Sequence, residues 1–260
     1  MSISNIGWDA INDSKIYGLM QKNYFQGLEI APTRIIENDP YSKCKEASVW
    51  AKKLKKRYGF VVSSMQSIWF GRQEHIFGTE TERKELLIYT KKSIDFAVVI
   101  GCKNLVFGCP KNRVIPNACS DDIAIDFFRE IGEYAANKGT IIAMEANPPI
   151  YNTNYINDTE AAFNLIEKVD SKGFLLNLDV GTMIYNGEEV DELVGKVPLI
   201  NHIHISEPGL KAIEKRQLHL DLKDVLMAEK YDGFISIEMA KVKDISVLDK
   251  TMTYVRQVFE

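Results

Sequence analysis

The sequence predicts an α/β fold, a single-domain (β/α)8 TIM barrel over residues 1–260, and three observations predict it. Short Ile/Val/Leu-rich runs alternate with amphipathic stretches of helical length. There are eight such pairs, and no linker, low-complexity tract or Pro/Gly-rich boundary divides them. This alternation favours a parallel sheet covered by helices, and eight units of about 30 residues suit a closed barrel of roughly 250 residues. An open doubly wound sheet is the rival, but it calls for a dinucleotide-type glycine fingerprint after the first strand, and none follows.

Candidate strands lie near 4–8, 26–31, 59–66, 104–109, 140–146, 173–179, 200–206 and 234–239. Runs such as TIIAMEA and FLLNLDV have the continuous apolar character of parallel strands buried on both faces. Between strands, KCKEASVWAKKLKKRYG groups Ala47, Val49, Trp50 and Leu54 as an apolar face, covers the rest with lysines and stops at Gly59. SDDIAIDFFREIGEYAANKG offers Ser120 as N-cap, acids in its first turn and Gly139 as its end. NDTEAAFNLIEKVDSKG and HLDLKDVLMAEKYDG read the same way.

The composition, 45% hydrophobic and 26% charged, is that of a globular protein, and the net charge of -4 argues against a broad nucleic-acid-binding face. No apolar run reaches the roughly 20 residues that span a bilayer. The opening MSISNIGWDAINDSK carries Asp9 and Asp13 and lacks the apolar core of a signal peptide. Cys44, Cys102, Cys109 and Cys119 form no CxxC pair, so reduced thiols and a cytoplasmic location are expected.

Buried strands should be apolar, and the last four depart from this near their C-terminal ends, at Glu145, Asp179, His204 and Glu238. The four positions stand about one strand–helix repeat apart, so they occupy equivalent places in successive units. Barrels of this type build active sites at the C-terminal rim of the strands. Three carboxylates converging there repel at a cost of about 4 kcal/mol per pair at 4 Å in an effective dielectric near 20. One divalent metal ion removes that cost. An oxygen-rich donor set with one imidazole and no thiolate favours Mn2+ or Mg2+, with Co2+ and Zn2+ also compatible.

The runs MEANP, NLDVGT, HIHISEP and GFISIEM, with GLEIAPT on the second strand, resemble the motifs of the xylose isomerase-like barrel superfamily. The resemblance covers essentially the whole chain and is sharpest from about 140 to 240. It implies Glu145, Asp179, His204 and Glu238 as metal ligands. It also implies isomerase or epimerase chemistry on a sugar, sugar phosphate or sugar acid: proton abstraction beside a carbonyl through an enediolate, with Glu145 and Glu238 as the acid/base pair. A metal-dependent dehydratase, a lyase acting on a cyclic polyol ketone or dehydroshikimate-like substrate, shares the first step. A barrel that binds metal or sugar without turnover is the third reading. Epimerases of the family often carry His three residues after the strand-six Asp and Arg shortly after the strand-seven His; here these places hold Thr182, and Leu210 with Lys211. The DNA-repair endonucleases of the superfamily need more histidines than the four present. The expected partner is therefore a small carbohydrate, not nucleic acid or membrane. Oligomeric state stays open, with a homodimer through rim loops as the form such barrels often take.

For substrate contact the sequence offers Trp8, Glu29, Trp69, His75, Asn147, Glu207 and His219. Asn147 and Glu207 follow ligand-bearing strands, and Glu29, near the end of strand two, would close the opposite side of the pocket. His219 lies in KRQLHLDL after strand seven. Trp8, Trp69 and Phe70 are candidates to stack on a sugar ring, against the commoner role of filling the barrel. WFGRQEHIFGTETER, around His75, has the length and glycines of a lid. His202 and Asn177 precede ligands by two residues, so they share the ligands' strand face one layer deeper, as satisfied core groups. Lys111 and Arg113 in CPKNR are expected in a solvated loop, and Cys109 is expected to be structural.

Overall fold

In the computed structural model, which describes residues 1–260, eight parallel strands close into a barrel in chain order. The strands are β1 (Ser2–Ser4), β2 (Gly27–Ile30), β3 (Val61–Met65), β4 (Asn104–Phe107), β5 (Ile141–Glu145), β6 (Phe174–Asp179), β7 (Ile200–Ile205) and β8 (Phe234–Ile237). The helices are α1 (Asp13–Lys22), α2 (Cys44–Tyr58), α3 (Glu80–Ile100), α4 (Asp122–Lys138), α5 (Thr159–Val169), α6 (Val180–Asn186), α7 (Gln217–Ala228) and α8 (Ile245–Phe259). β1 pairs with both β2 and β8, which closes the ring. An apolar cluster of 60 buried residues fills the space between strands and helices. No helix is long and apolar enough to cross a membrane, and all four cysteines are free.

The first strand ends earlier than expected. β1 stops at Ser4, and Asn5–Gly7 forms a tight 3-10 turn. The turn lets the Asn5 side chain accept from the Ala31 amide at 2.9 Å, tying the ends of β1 and β2 together. α2 buries Ala47 and Leu54 but leaves Val49 52% exposed. Val49 lies two residues from Ala47, about 200° round the helix, so it cannot share that face. α2 and α4 end at Gly59 and Gly139 with φ of 81° and 71°, the left-handed stop expected of glycine. Ser120 sits one position outside the α4 cap, and its hydroxyl accepts from the Asp122 amide at 3.3 Å.

Two register details place the rim. A shift in the β6–β7 pairing after Leu176 sets Asp179 beside His204. β5 pairs Glu145 with Asn177. Glu238, one residue beyond β8, donates its amide to the Ile205 carbonyl at 3.0 Å, so it continues the ladder against the end of β7.

Candidate metal centre

Glu145, Asp179, His204 and Glu238 each offer a ligand atom, and these atoms all lie within 4.8 Å of one another. His204 Nδ1 stands 2.9 Å from Glu145 Oε1 and 3.3 Å from Glu238 Oε2. Asp179 also caps α6. Its Oδ2 accepts from the Thr182 amide and lies within bonding distance of the Thr182 hydroxyl, both at 2.8 Å, while Oδ1 accepts from the Ser206 hydroxyl. Asn177 and Asn147 donate to the two oxygens of Glu145 at 2.8 and 3.1 Å. Gln66 donates to Glu238 at 2.9 Å. Five polar side chains thus hold the acids at set angles, as groups that serve a bound cation need.

The electrostatics carry the signature of crowded negative charge. Burial, with Glu145 and Glu238 facing it, pushes the Asp179 carboxyl up to about 7. Burial also raises Glu238 above the usual carboxylate range. Burial opposes a charged His204, yet Glu29 and Glu238 outweigh it and hold the imidazole well above its ordinary value. Three acids and one imidazole, oxygen-rich and without thiolate, fit a hard divalent cation that would take the place of these protons.

Beneath this set lies Glu29, fully buried. Its Oε2 is 2.8 Å from His204 Nε2 and 3.2 Å from His202 Nε2, and its Oε1 accepts from Gln66 at 2.9 Å. Burial alone would raise its pKa; the two histidines outweigh it and hold it well below the carboxylate range. Glu29 therefore does not close the pocket wall as expected. It accepts from the far nitrogen of His204 and leaves Nδ1 facing the acids. His202 and Asn177 are buried in the layer below the rim, as their two-residue offset predicted.

The cavity above the acids is about 170 Å³. Glu145, Asp179 and Glu238 line it together with Gln66, Asn147 and Ser206, and Tyr151, Cys109, Pro110 and Leu210 wall it. Of the residues expected to touch substrate, Asn147 alone reaches this chamber. Trp8 is 1% exposed, its indole NH given to Asp13 at 2.8 Å. Trp69 packs on Phe107 and Phe127 and donates to Thr90, so it fills the core. Glu207 is buried in a two-point ion pair with Arg216 at 2.8 and 2.6 Å. His219 is buried on α7 against the Tyr254 hydroxyl at 2.8 Å, and burial lowers its pKa to about 4. His75 is exposed and lines a neighbouring groove.

Three contributors escaped the sequence reading. Gln66 directly follows β3, and nothing in the run VVSSMQ marks it. Gly108 lies so close that an added Cβ would stand 2.8 Å from Glu145 Oε2. Arg113, expected in a solvated loop, is completely buried. The turn Pro110–Arg113 sends it inward, where it donates to the Glu145 carbonyl at 3.1 Å and the Asn147 side chain at 2.8 Å. Cys109 has a thiol pushed up to about 12 by burial, in keeping with its expected structural role.

An eight-stranded α/β barrel with a buried acid–imidazole cluster at the C-terminal rim defines a TIM-barrel protein with a candidate metal centre. The chain belongs to the xylose isomerase-like TIM barrel family, whose model matches residues 25–257. Similar solved structures include the 3-keto-D-glucoside 4-epimerase YcjR from E. coli (18% identity, 98% of each chain, TM-score 0.77). D-psicose 3-epimerase from Clostridium cellulolyticum H10, solved with D-tagatose, aligns at 14% identity over 100% of this chain and 99% of that one, TM-score 0.80. An AP endonuclease, family 2, from Brucella melitensis aligns at 16% identity over 97% and 96%, TM-score 0.74. These likenesses speak for the fold. No curated protein matches the sequence.

Proposed function

We propose that the protein is a divalent-metal-dependent isomerase or epimerase of a small carbohydrate, working by proton transfer beside a carbonyl. The observation that carries this reading is the placement of Glu145 and Glu238, two carboxylates from strands on different sides of the rim, in one small chamber with Asp179 and His204. The epimerases of matching fold, which act on sugars according to their names, support the substrate class.

A cation held by these four residues would supply positive charge to offset the negative charge that grows on substrate oxygens as the proton leaves. The remaining work falls to the chain. Glu145 and Glu238 remove and return the proton, the carboxyl of Glu238 being raised above its ordinary value by burial. Asp179 and His204 serve as ligands only. Asn147 faces the chamber and is positioned by Arg113 to meet a hydroxyl. Tyr151, Cys109, Pro110 and Leu210 keep bulk water from the reacting carbon. Leu210 stands where the family's epimerases often have an arginine and makes that wall apolar, which favours a substrate uncharged on this side. Free cysteines suit a reducing compartment such as the cytoplasm.

The test is solvent deuterium exchange into a panel of ketoses and sugar acids, with bound metal measured on the same preparation. We expect metal-dependent exchange that falls about 10²–10⁴-fold in Glu145→Gln and Glu238→Gln. Product analysis separates epimerisation from loss of water. Metal-loaded protein that binds sugars but exchanges no proton would overturn the reading in favour of a barrel without turnover.

A further inference from the structure

We infer that the substrate carries a second ring, glycosidically joined to the sugar unit that reaches the acids, and that this ring lies in the groove between the β3–α3 and β4–α4 loops. The inference rests on the proposed function and deepens it by naming the substrate class. At about 170 Å³ the acidic chamber is smaller than the roughly 300 Å³ at which pockets for drug-sized ligands begin. A groove of about 410 Å³ adjoins it and shares Ser67, Cys109 and Pro110 as common walls.

The chemistry of the groove is that of a carbohydrate site. Phe70 lines it and is 69% exposed, an aromatic face with no packing duty. Around it, the side chains of His75 and Lys111 have no hydrogen-bond partner within the protein and are free to meet hydroxyls. Arg72 is neutralised by Glu74 and by Glu85 at 3.5 Å, which leaves one unpaired lysine. A single exposed lysine is a poor phosphate site, and no α-helix begins among the residues that line the groove. A neutral polyhydroxylated ring therefore fits better than a phosphate.

The groove is also fixed in place. Asn112 donates to the carbonyls of Arg72 and Glu74 at 3.2 and 2.8 Å and accepts from the Ile76 amide at 2.8 Å, so the two loops are sewn together. Trp69 anchors the turn through Thr90, and Gly71, with φ of 84°, completes it. Phe70 is thus presented on a braced turn, and a ring docking there meets a surface already ordered. The segment expected to act as a lid is, in this arrangement, a binding wall.

The test compares fructose with the ketose disaccharides lactulose and isomaltulose, and with fructose 6-phosphate, in the parent protein and in Phe70→Ala and Lys111→Ala. Exchange from deuterated solvent and saturation-transfer NMR are read in parallel. A disaccharide should exchange with the highest kcat/KM, with saturation transfer from the Phe70 ring. F70A should lower the disaccharide-to-fructose ratio by about tenfold, the scale of one stacking contact. Equal kcat/KM for fructose and both disaccharides, or a ratio untouched by F70A, would overturn the inference and leave the reaction standing. A preference for fructose 6-phosphate lost in K111A would overturn it in favour of phosphate. If no sugar exchanges, the reaction fails, but disaccharide binding that disappears in F70A still supports the groove, and absent binding overturns it.

Discussion

Replacing Asp179 with Asn should make the metal-free protein more stable while removing its response to metal. Burial and the neighbouring Glu145 and Glu238 push the Asp179 carboxyl from 3.8 to about 7. That is roughly three units, so at about 1.4 kcal/mol per unit the ionised group costs the metal-free fold on the order of 4 kcal/mol at pH 8. Asn removes the charge and keeps an oxygen for the Thr182 amide, but its NH2 faces the hydroxyl of Ser206, a loss of about 1–2 kcal/mol. The net gain is about 2 kcal/mol, or roughly 4–8 °C in melting temperature for a domain of this size.

The direction with pH is set by the same shift. A carboxyl whose pKa is raised by folding keeps its proton in the fold where the unfolded chain has lost it. The cost is therefore absent below about pH 4 and complete above about pH 7. Melting curves in EDTA at pH 5 and pH 8 should show the gap between D179N and its parent widening with pH. Excess MnCl2 should then raise the parent by about 2.7 kcal/mol at 100 times Kd and D179N by little. A D179N protein less stable than its parent in EDTA at pH 8, or a gap that ignores pH, would refute the account of Asp179 as a group awaiting a cation.

Three further outcomes are expected. Metal binding must displace protons from Asp179 and His204, so affinity should rise from pH 6 to pH 8 with proton release visible as buffer-dependent heats in calorimetry; heats that do not vary with buffer contradict this. Glu29→Gln should weaken metal binding about 10–100-fold in a folded protein, because Glu29 only accepts, from Gln66, His202 and His204, and an amide must turn a donor toward one of them; unchanged affinity by titration would remove its orienting role. Gly108→Ala sets a methyl against Glu145 Oε2 and should lower both metal affinity and exchange rate, and a crystal structure with Glu145 unmoved would disprove the clash.

How much of this was legible in the sequence depends on what each residue type must do when buried. An acid at the end of a buried parallel strand needs a partner for its charge, so Glu145, Asp179 and Glu238 stood out, and the repeat spacing put them at one rim. Gln66, Gly108 and Arg113 did not, because an amide, a glycine or a loop arginine has many ordinary uses, and only the closed ring brings the ends of β3 and β4 to the same chamber as those of β5 and β8. The aromatic expectations failed at Trp8 and Trp69 because hydrophobic size says that a side chain will be covered, not by what. Phe70, one residue on, is turned outward by the tight turn at Ser67–Gly71. Glu207 and His219 look like substrate contacts in the sequence because their partners lie elsewhere in the chain, Arg216 for Glu207 and the Tyr254 hydroxyl for His219. The short β1 escaped because Asn5 prefers to bond the neighbouring strand's backbone over continuing the ladder.

The interior of the barrel explains how the four residues of the candidate metal centre are held in place. TIM barrels are commonly filled with branched apolar side chains, but here the layers beneath the rim are small and polar. Ser2 bonds Ser63 at 2.5 Å, Asn104 donates to Ser64 at 2.9 Å, and Asn201 donates to Asn104 at 2.6 Å. His202 bonds Ser236 at 2.9 Å and reaches Glu29. A carboxylate buried as deeply as Glu29 is tolerated only when each oxygen has partners, and an aliphatic floor would supply none. Once Glu29 is held, His204 is held through Nε2, and the one remaining nitrogen is presented to the three acids. Substituting that floor with apolar residues would therefore cost metal affinity before it cost the fold, since the outer apolar shell between strands and helices would remain. Ser236→Val combined with His202→Leu tests the point: a folded barrel that still binds metal as tightly as its parent would show that the floor is packing alone.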